Sequence, residues 1–445
     1  MLVASTQPML AEQHLDSLAF GWKRRGRLLE SHVVDFSALG HVDQTLQACS
    51  EALVAMAAST QQAVQSRLQD PLMAAELFAI ALHAMGQQDK ALHDVCMGML
   101  QTLPTLRDGY IGALEWANPR HAWWACMEWR QQPGRAGLAQ LFLLTACAAH
   151  PSLHAHAKSC GVWRQLLDTL DDQAGPLGAL MQNALARADP DALARAPALL
   201  EATTPVLRGL AAEALLRYPG RDQAHGDHAA AVLLAQVAEG RPDAHTAVYA
   251  LASLRHRAYS EALSALEGQH GQHRLYLQAL GWGGHLRAVP VLVEALRHPQ
   301  HARTAGAALS MLTGSLPARD GWQADTDPSR QTARPAHLDT QDAQMPKPNP
   351  EADLPVPDKA GFERWWSAHR DRFAAPAYYL AGQPHTPSHL LDVLRHGRLA
   401  WRAMAARLLP PQAGALHLDT RAAASRQRQW LNTYSSGVKH HAPHT

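Results

Sequence analysis

Histidine is the residue whose abundance first suggests chemistry, with 27 in the chain. Three close pairs have ligand-like spacing: His154-x-His156, His225-x-x-His228 and His440-His441. A structural zinc site needs about four ligands held tetrahedrally. No C-x-x-C or H-E-x-x-H accompanies these pairs, so they read as surface or loop histidines. No metal and no cofactor is expected. The five cysteines, Cys49, Cys96, Cys126, Cys147 and Cys160, are scattered and odd in number. That pattern fits reduced thiols packed as small hydrophobes better than a disulfide framework or a catalytic dyad. The "GWGG" at Gly281–Gly284 lacks the lysine and the spacing of a phosphate loop, and no G-x-S-x-G elbow occurs. Glu213, Glu261 and Glu294 recur at related places, which reads as a solvated helix face rather than a paired-carboxylate site. No catalytic residue is assigned, and the chain reads as a non-enzyme.

Binding chemistry is what remains. The contact candidates are Trp282, Arg287, Arg303, Trp365 and Trp366. Aromatic side chains and arginine dominate protein interfaces, because they bury large area or donate several hydrogen bonds at once. Trp282 is placed in a turn between two helices, where packing under the next repeat is the competing reading. Trp365 and Trp366 serve equally well to anchor a C-terminal helix. Trp123, Trp124 and Trp129 form the most aromatic stretch, with gap-filling between irregular helices as the plainer account. Two basic groups, Lys23–Arg27 and Arg421, Arg426 and Arg428, could meet an acidic partner or form pairs within the chain.

The elements that must position these residues are helices. Ala and Leu dominate and aromatics are only 6 %, a composition that favours helix over strand. From Asp189 to Gly314 the sequence reads as helical hairpins laid end to end. An "A-L" pattern recurs at Leu185, Leu215, Leu251, Leu280 and Leu309, with gaps of 30, 36, 29 and 29 residues. A period in that range marks a helical repeat array. The expected fold is therefore all-α, an α-solenoid of stacked antiparallel helical hairpins with a C-terminal helical cap. The expected divisions are irregular hairpins over 1–137, the array over 138–316, a flexible linker over 317–357, a C-terminal helical segment over 358–436 and a tail over 437–445. The linker is assigned on its Pro, Asp, Gln and Thr content and its lack of apolar periodicity.

Charge narrows the partner. Forty Lys+Arg oppose 39 Asp+Glu, so no whole-molecule field favours nucleic acid or an anionic membrane. No apolar run reaches the ~18 residues that span a bilayer. The N-terminal stretch lacks the pattern of a signal peptide. The expectation is a cytoplasmic protein whose partner is another protein.

Several stretches resemble one family. "HLDSLAFGWKRR" with "LGHVDQTLQACSEAL" opens the chain, and "YLQALGWGGHLRAVPVLVEALRHPQHARTAGAALSMLTG" lies in the middle. "LPVPDKAGFERWW", "YYLAGQP" and "HLDTRAAASRQRQWL" follow. In that order they resemble the HEAT-repeat-like proteins encoded beside type VI secretion spike, PAAR and effector genes in proteobacteria. The resemblance implies an adaptor or chaperone that holds an effector or PAAR-type cargo, with a spike, PAAR or effector protein as partner. An immunity protein that inhibits a cognate toxin is the alternative. A nucleic-acid-acting HEAT-like enzyme is the third, and the near-neutral charge weighs against it.

Overall fold

In the computed structural model, the described residues are 2–170, 173–220, 223–325, 351, 353–373, 377–409 and 417–440. They are almost entirely helical, and the chain is all-α. It forms two compact units. The first comprises Met1–Glu30, Phe36–Ala229 and Pro411–Thr445. Its helices begin with α1 (Leu2–Leu28), α2 (Phe36–Ala55), α3 (Ala57–Arg67), α4 (Ala74–Gln87) and α5 (Lys90–Thr102). They continue with α6 (Arg107–Trp116), α7 (Pro119–Arg130), α8 (Ala136–Ala149), α9 (Pro151–Ser159) and α10 (Val162–Asp168). Then come α11 (Ala174–Arg187), α12 (Pro190–Leu193), α13 (Ala196–Leu199) and α14 (Pro205–Arg217). The division falls inside α15 (Gln223–Ala238).

The second unit comprises Ser31–Asp35 and Ala230–Pro410. It holds α16 (Ala244–Ser253), α17 (Tyr259–Glu267), α18 (His273–Trp282), α19 (Val289–Ala295) and α20 (Pro299–Thr313). After these come α21 (Lys359–His369), a two-stranded hairpin of β1 (Tyr379–Leu380) and β2 (Gln383–Pro384), α22 (Pro387–His396) and α23 (Leu399–Leu408). The last helix, α24 (Ala424–His440), belongs to the first unit.

The helix starts are written in proline. Pro119, Pro151, Pro190, Pro205, Pro299 and Pro387 each stand in the first turn, where the absent N–H was never going to be bonded. Asp89 adds a side-chain cap, accepting from the Leu92 N–H at 3.1 Å. In the first unit α4 packs on α6, α6 on α8, α8 on α11 and α11 on α14. In the second, α16 packs on α18 and α18 on α20. At Gly109 on α6 the backbones nearly touch. A Cβ there would lie 1.9 Å from the Ala74 carbonyl oxygen of α4. One turn on, a Cβ at Gly112 would lie 2.6 Å from the Trp22 indole, which itself stacks on Phe78.

Each helix in the succession ends in carbonyls that no further turn can satisfy. The next helix supplies the donor. His150, closing α8, bonds the Leu114 carbonyl of α6 through Nε2 at 2.8 Å. Arg187, the last residue of α11, donates to the Ala148 carbonyl of α8 at 2.8 Å. Tyr218, closing α14, donates its hydroxyl to the Leu185 carbonyl of α11 at 2.7 Å. These donors lie 36, 39 and 33 residues after their acceptors. The chain leading into α24 continues the job within the first unit. Arg426 donates to the Ala149 carbonyl at 3.1 Å and to the Glu115 carbonyl, and the His417 N–H donates to Ala186. Its place is fixed by a buried pair: Asp43 accepts from Arg25 Nε at 2.6 Å and from the Ala424 N–H at 2.6 Å.

The boundaries differ from the sequence expectation. The units divide at Ala229–Ala230, inside the expected 138–316 array, and the expected 358–436 segment is split between them. The expected 317–357 linker is structured at both ends. Trp322 is fully buried, its carbonyl accepts from the Asp358 N–H at 2.7 Å, and the Ala324 N–H donates to Val356 at 2.9 Å. One tryptophan among polar residues was enough to anchor a stretch that averaged composition reads as unstructured. Residues 326–350 lie outside the described residues. The expected tail begins inside α24, which runs to His440. Glu213 is not on a solvated face: it is 2 % exposed and accepts from Arg217 at 3.1 Å.

Two outcomes follow from this packing. Gly109→Ala destabilises the chain by about 1–3 kcal/mol, read as a fall in the denaturant midpoint, because the Ala74 carbonyl is backbone and cannot step aside. The second concerns pH. His93 shares a hydrogen bond of 2.7 Å with Tyr110. Burial lowers both His93 and His150 to about 4, with Arg426 adding to the effect at His150. Unfolded histidine titrates near 6.5. Between about 6.5 and about 4 the unfolded chain therefore binds more protons, and stability falls as pH falls through that window. The melting temperature drops over this range, and drops less in a His93→Gln/His150→Gln variant. An unchanged slope in that variant contradicts the assignment.

Candidate functional site

Placement bears on the nucleophile and metal candidates, with Cys160 the one cysteine of the five that is exposed. Cys49, Cys96, Cys126 and Cys147 are buried, and burial pushes the Cys96 and Cys147 thiols up to about 12. A thiol so shifted stays protonated, and the thiolate is the reactive species. His154 and His156 diverge. His154 faces the Asp189 carboxylate at 3.2 Å and packs on Trp163, whereas His156 packs against Trp123. His228 pairs with Glu201 at 3.2 Å. The His440–His441 pair reaches beyond the described residues. Among the described residues no group of three His, Cys, Asp or Glu is placed to hold a metal.

The five contact candidates separate. Trp282 is not in a turn. It is the last residue of α18 and is 8 % exposed, its ring set edge-on to His245 and Tyr249 at 4.8 and 5.0 Å. The turn begins one residue later, at Gly283–Gly284, so the indole is packing material. Arg303 donates to the Leu354 carbonyl and holds the 351–357 stretch against α20. Trp365 and Trp366 are half-buried in an aromatic cluster with Phe362, His369 and Phe373. Phe362 in turn meets the buried Trp322. Both tryptophans therefore anchor α21. Arg287 alone of the five projects from the surface with no ion pair among the described residues.

Around Arg287 the structure assembles residues that sequence reading passed over. Gly284 stands at φ +72, where a Cβ would crowd Tyr379, and its carbonyl accepts from the Tyr379 N–H at 2.7 Å. This bond draws the β1–β2 hairpin onto the end of α18, with His285 bridging to Tyr378. The hairpin turns through Ala381 and Gly382, both at positive φ, as a two-residue turn requires. The two turn N–H groups point at the end of α20, donating to Met311 and Leu312 at 2.6 and 3.0 Å. A later segment thus covers helix C-termini in this unit too.

Arg255 completes the patch. It closes α16 in a left-handed conformation, φ +50, with its N–H bonded to Ala252 and the His256 N–H to Leu251. Glycine usually holds that position, although Gln88 caps α4 in the same way. The Arg255 guanidinium lies 4.9 Å over the Tyr378 ring and donates to His385 Nδ1 at 2.7 Å. His285 packs on the other neighbourhood of Tyr378, with ring centroids 4.4 Å apart. Burial and then Arg255 lower His385 to about 4, and burial and then Arg287 lower His285. Both imidazoles are therefore neutral near pH 7, while the guanidiniums stay charged. Among the described residues no carboxylate pairs with Arg255, Arg287, His285 or His385. The result is an exposed aromatic and cationic surface within one unit. No family model, curated protein or solved structure matches this chain.

The left-handed cap gives a clean variant. Arg255→Gly relieves a conformational cost of about 1 kcal/mol while losing a cation–π contact of about 0.5–1 kcal/mol. The melting temperature therefore stays close to wild type. A large fall makes Arg255 a structural anchor of the hairpin instead of a surface group.

Proposed function

We propose that this protein is a non-enzymatic, protein-binding scaffold. The hairpins of each unit are read as HEAT-like repeats of an α-solenoid. The scaffold acts as an adaptor or chaperone at a type VI secretion locus, holding an effector or PAAR-bearing cargo before loading. The observation that carries the binding role is the Arg255–Tyr378–His285–Arg287 patch, whose two guanidiniums face solvent without a counter-charge. Leaving charge uncompensated on an ordered surface gains nothing for folding, whereas a complementary partner gains from it in rate and specificity. Helix-on-helix succession supports the scaffold reading, since repeat stacks offer long, rigid surfaces built for partners. The locus and the cargo class rest on the resemblance of the ordered sequence stretches.

Co-purification of the full chain with the neighbouring spike, PAAR and effector products tests the proposal. One of them is retained through size-exclusion chromatography if the reading is right. No stable partner among the three overturns it. Rescue of cells that express a toxin domain alone replaces the adaptor role with an immunity role.

A further inference from the structure

We propose that the partner presents an acidic segment, with closely spaced aspartate or glutamate side chains, to the Arg255–Tyr378–His285–Arg287 patch. The inference rests on the scaffold reading and names the chemistry that this one surface recognises.

Three features of the patch argue for carboxylates. First, Arg255 is oriented before any ligand arrives. Its backbone is fixed by the helix cap, and its guanidinium is stacked on Tyr378 and tied through one donor to His385. Its other N–H donors have no partner among the described residues. A planar fork with free donors matches a carboxylate, and pre-orientation reduces the entropy lost on binding. Second, the neighbouring rings supply neutral polar edges. His285 is exposed and packs against Tyr378, which is itself 36 % exposed. These groups offer donors and apolar surface without adding repulsion. Third, Arg287 is exposed and stands two positions after His285, whose ring packs on Tyr378. Two exposed cations beside one aromatic group suit a partner that carries more than one carboxylate.

The same features argue against nucleic acid. A polyanion gains affinity by neutralising many phosphates along a track. Here the patch offers Arg255 and Arg287, and the whole chain has a net charge of only +1. The position of Arg255 just after the end of α16 has a dipole component as well, since cations favour helix C-termini. That component does not require exposure, nor the stacking of Arg255 on an exposed tyrosine.

The test uses the full chain and a fluorescently labelled glutamate-rich peptide, with its glutamine counterpart and a single-stranded oligonucleotide as controls. Fluorescence anisotropy gives the affinities. The glutamate peptide binds, the glutamine peptide does not, and added salt weakens binding. Arg255→Gly and Arg287→Ala each weaken it roughly tenfold or more, with melting temperatures near wild type. Equal binding of the two peptides, unaltered affinity in both variants, or tighter binding of the oligonucleotide overturns the inference. If the chain retains a protein partner that both variants hold as well as wild type, this inference fails and the scaffold stands. If it retains no partner at all, the scaffold reading is what fails.

Discussion

The C-terminal carbonyls of the stacked helices are the constraint on which most of this structure depends. A helix that packs against neighbours on both sides keeps its last carbonyls close to protein, where an unpaired acceptor costs roughly 1–3 kcal/mol. The chain answers with one device used repeatedly. His150, Arg187 and Tyr218 each reach back to the end of an earlier helix packed against their own. Asn183, inside α11, donates to the Leu144 carbonyl part-way along α8 at 2.8 Å. The donor types differ while the geometry persists, so the device does not depend on one residue type. Once the succession has formed, chain from a distant part of the sequence covers the same edge. In the first unit it is the stretch from His417 to Arg426. In the second it is the hairpin around Ala381 and Gly382.

That constraint also explains where a binding surface can arise. An edge lined with helix C-termini attracts donors and cations, and most of them are consumed. Arg187 and Arg426 are spent on carbonyls and are half-buried, and burial lowers the Arg187 guanidinium to about 10. Arg255 has a different fate. The cap of α16 lifts it clear of the helix end, and Tyr378 holds it in the open. The same chemistry that seals the edge elsewhere is there left facing solvent.

Much of the fold was legible from the sequence, and the reasons are local. Helix content followed from Ala and Leu enrichment. The hairpin turn near Gly283 followed from its glycines. The failures were failures of long-range information. Trp282 was placed one residue outside its helix, and that single step separates an exposed ring from a buried one. Glu213 had the spacing of a surface residue, but its partner Arg217 lies one turn away on the same helix and both are buried. Trp322 sat in a polar context whose average concealed its role. The patch itself combines residues 255, 285, 287, 378 and 385, and nothing in local spacing brings these together. The two-residue Ala381-Gly382 turn was the one available signal that a hairpin presents Tyr378 and His385 from opposite arms.

The account stands on one claim, that the Arg255–Tyr378–His285–Arg287 surface is where a protein partner docks. Hydrogen exchange on the full chain, with and without its co-purified partner, tests this most directly. The account predicts partner-dependent protection concentrated in 254–258, 284–288 and 377–386. Protection confined to other segments, with these three unchanged, would contradict it.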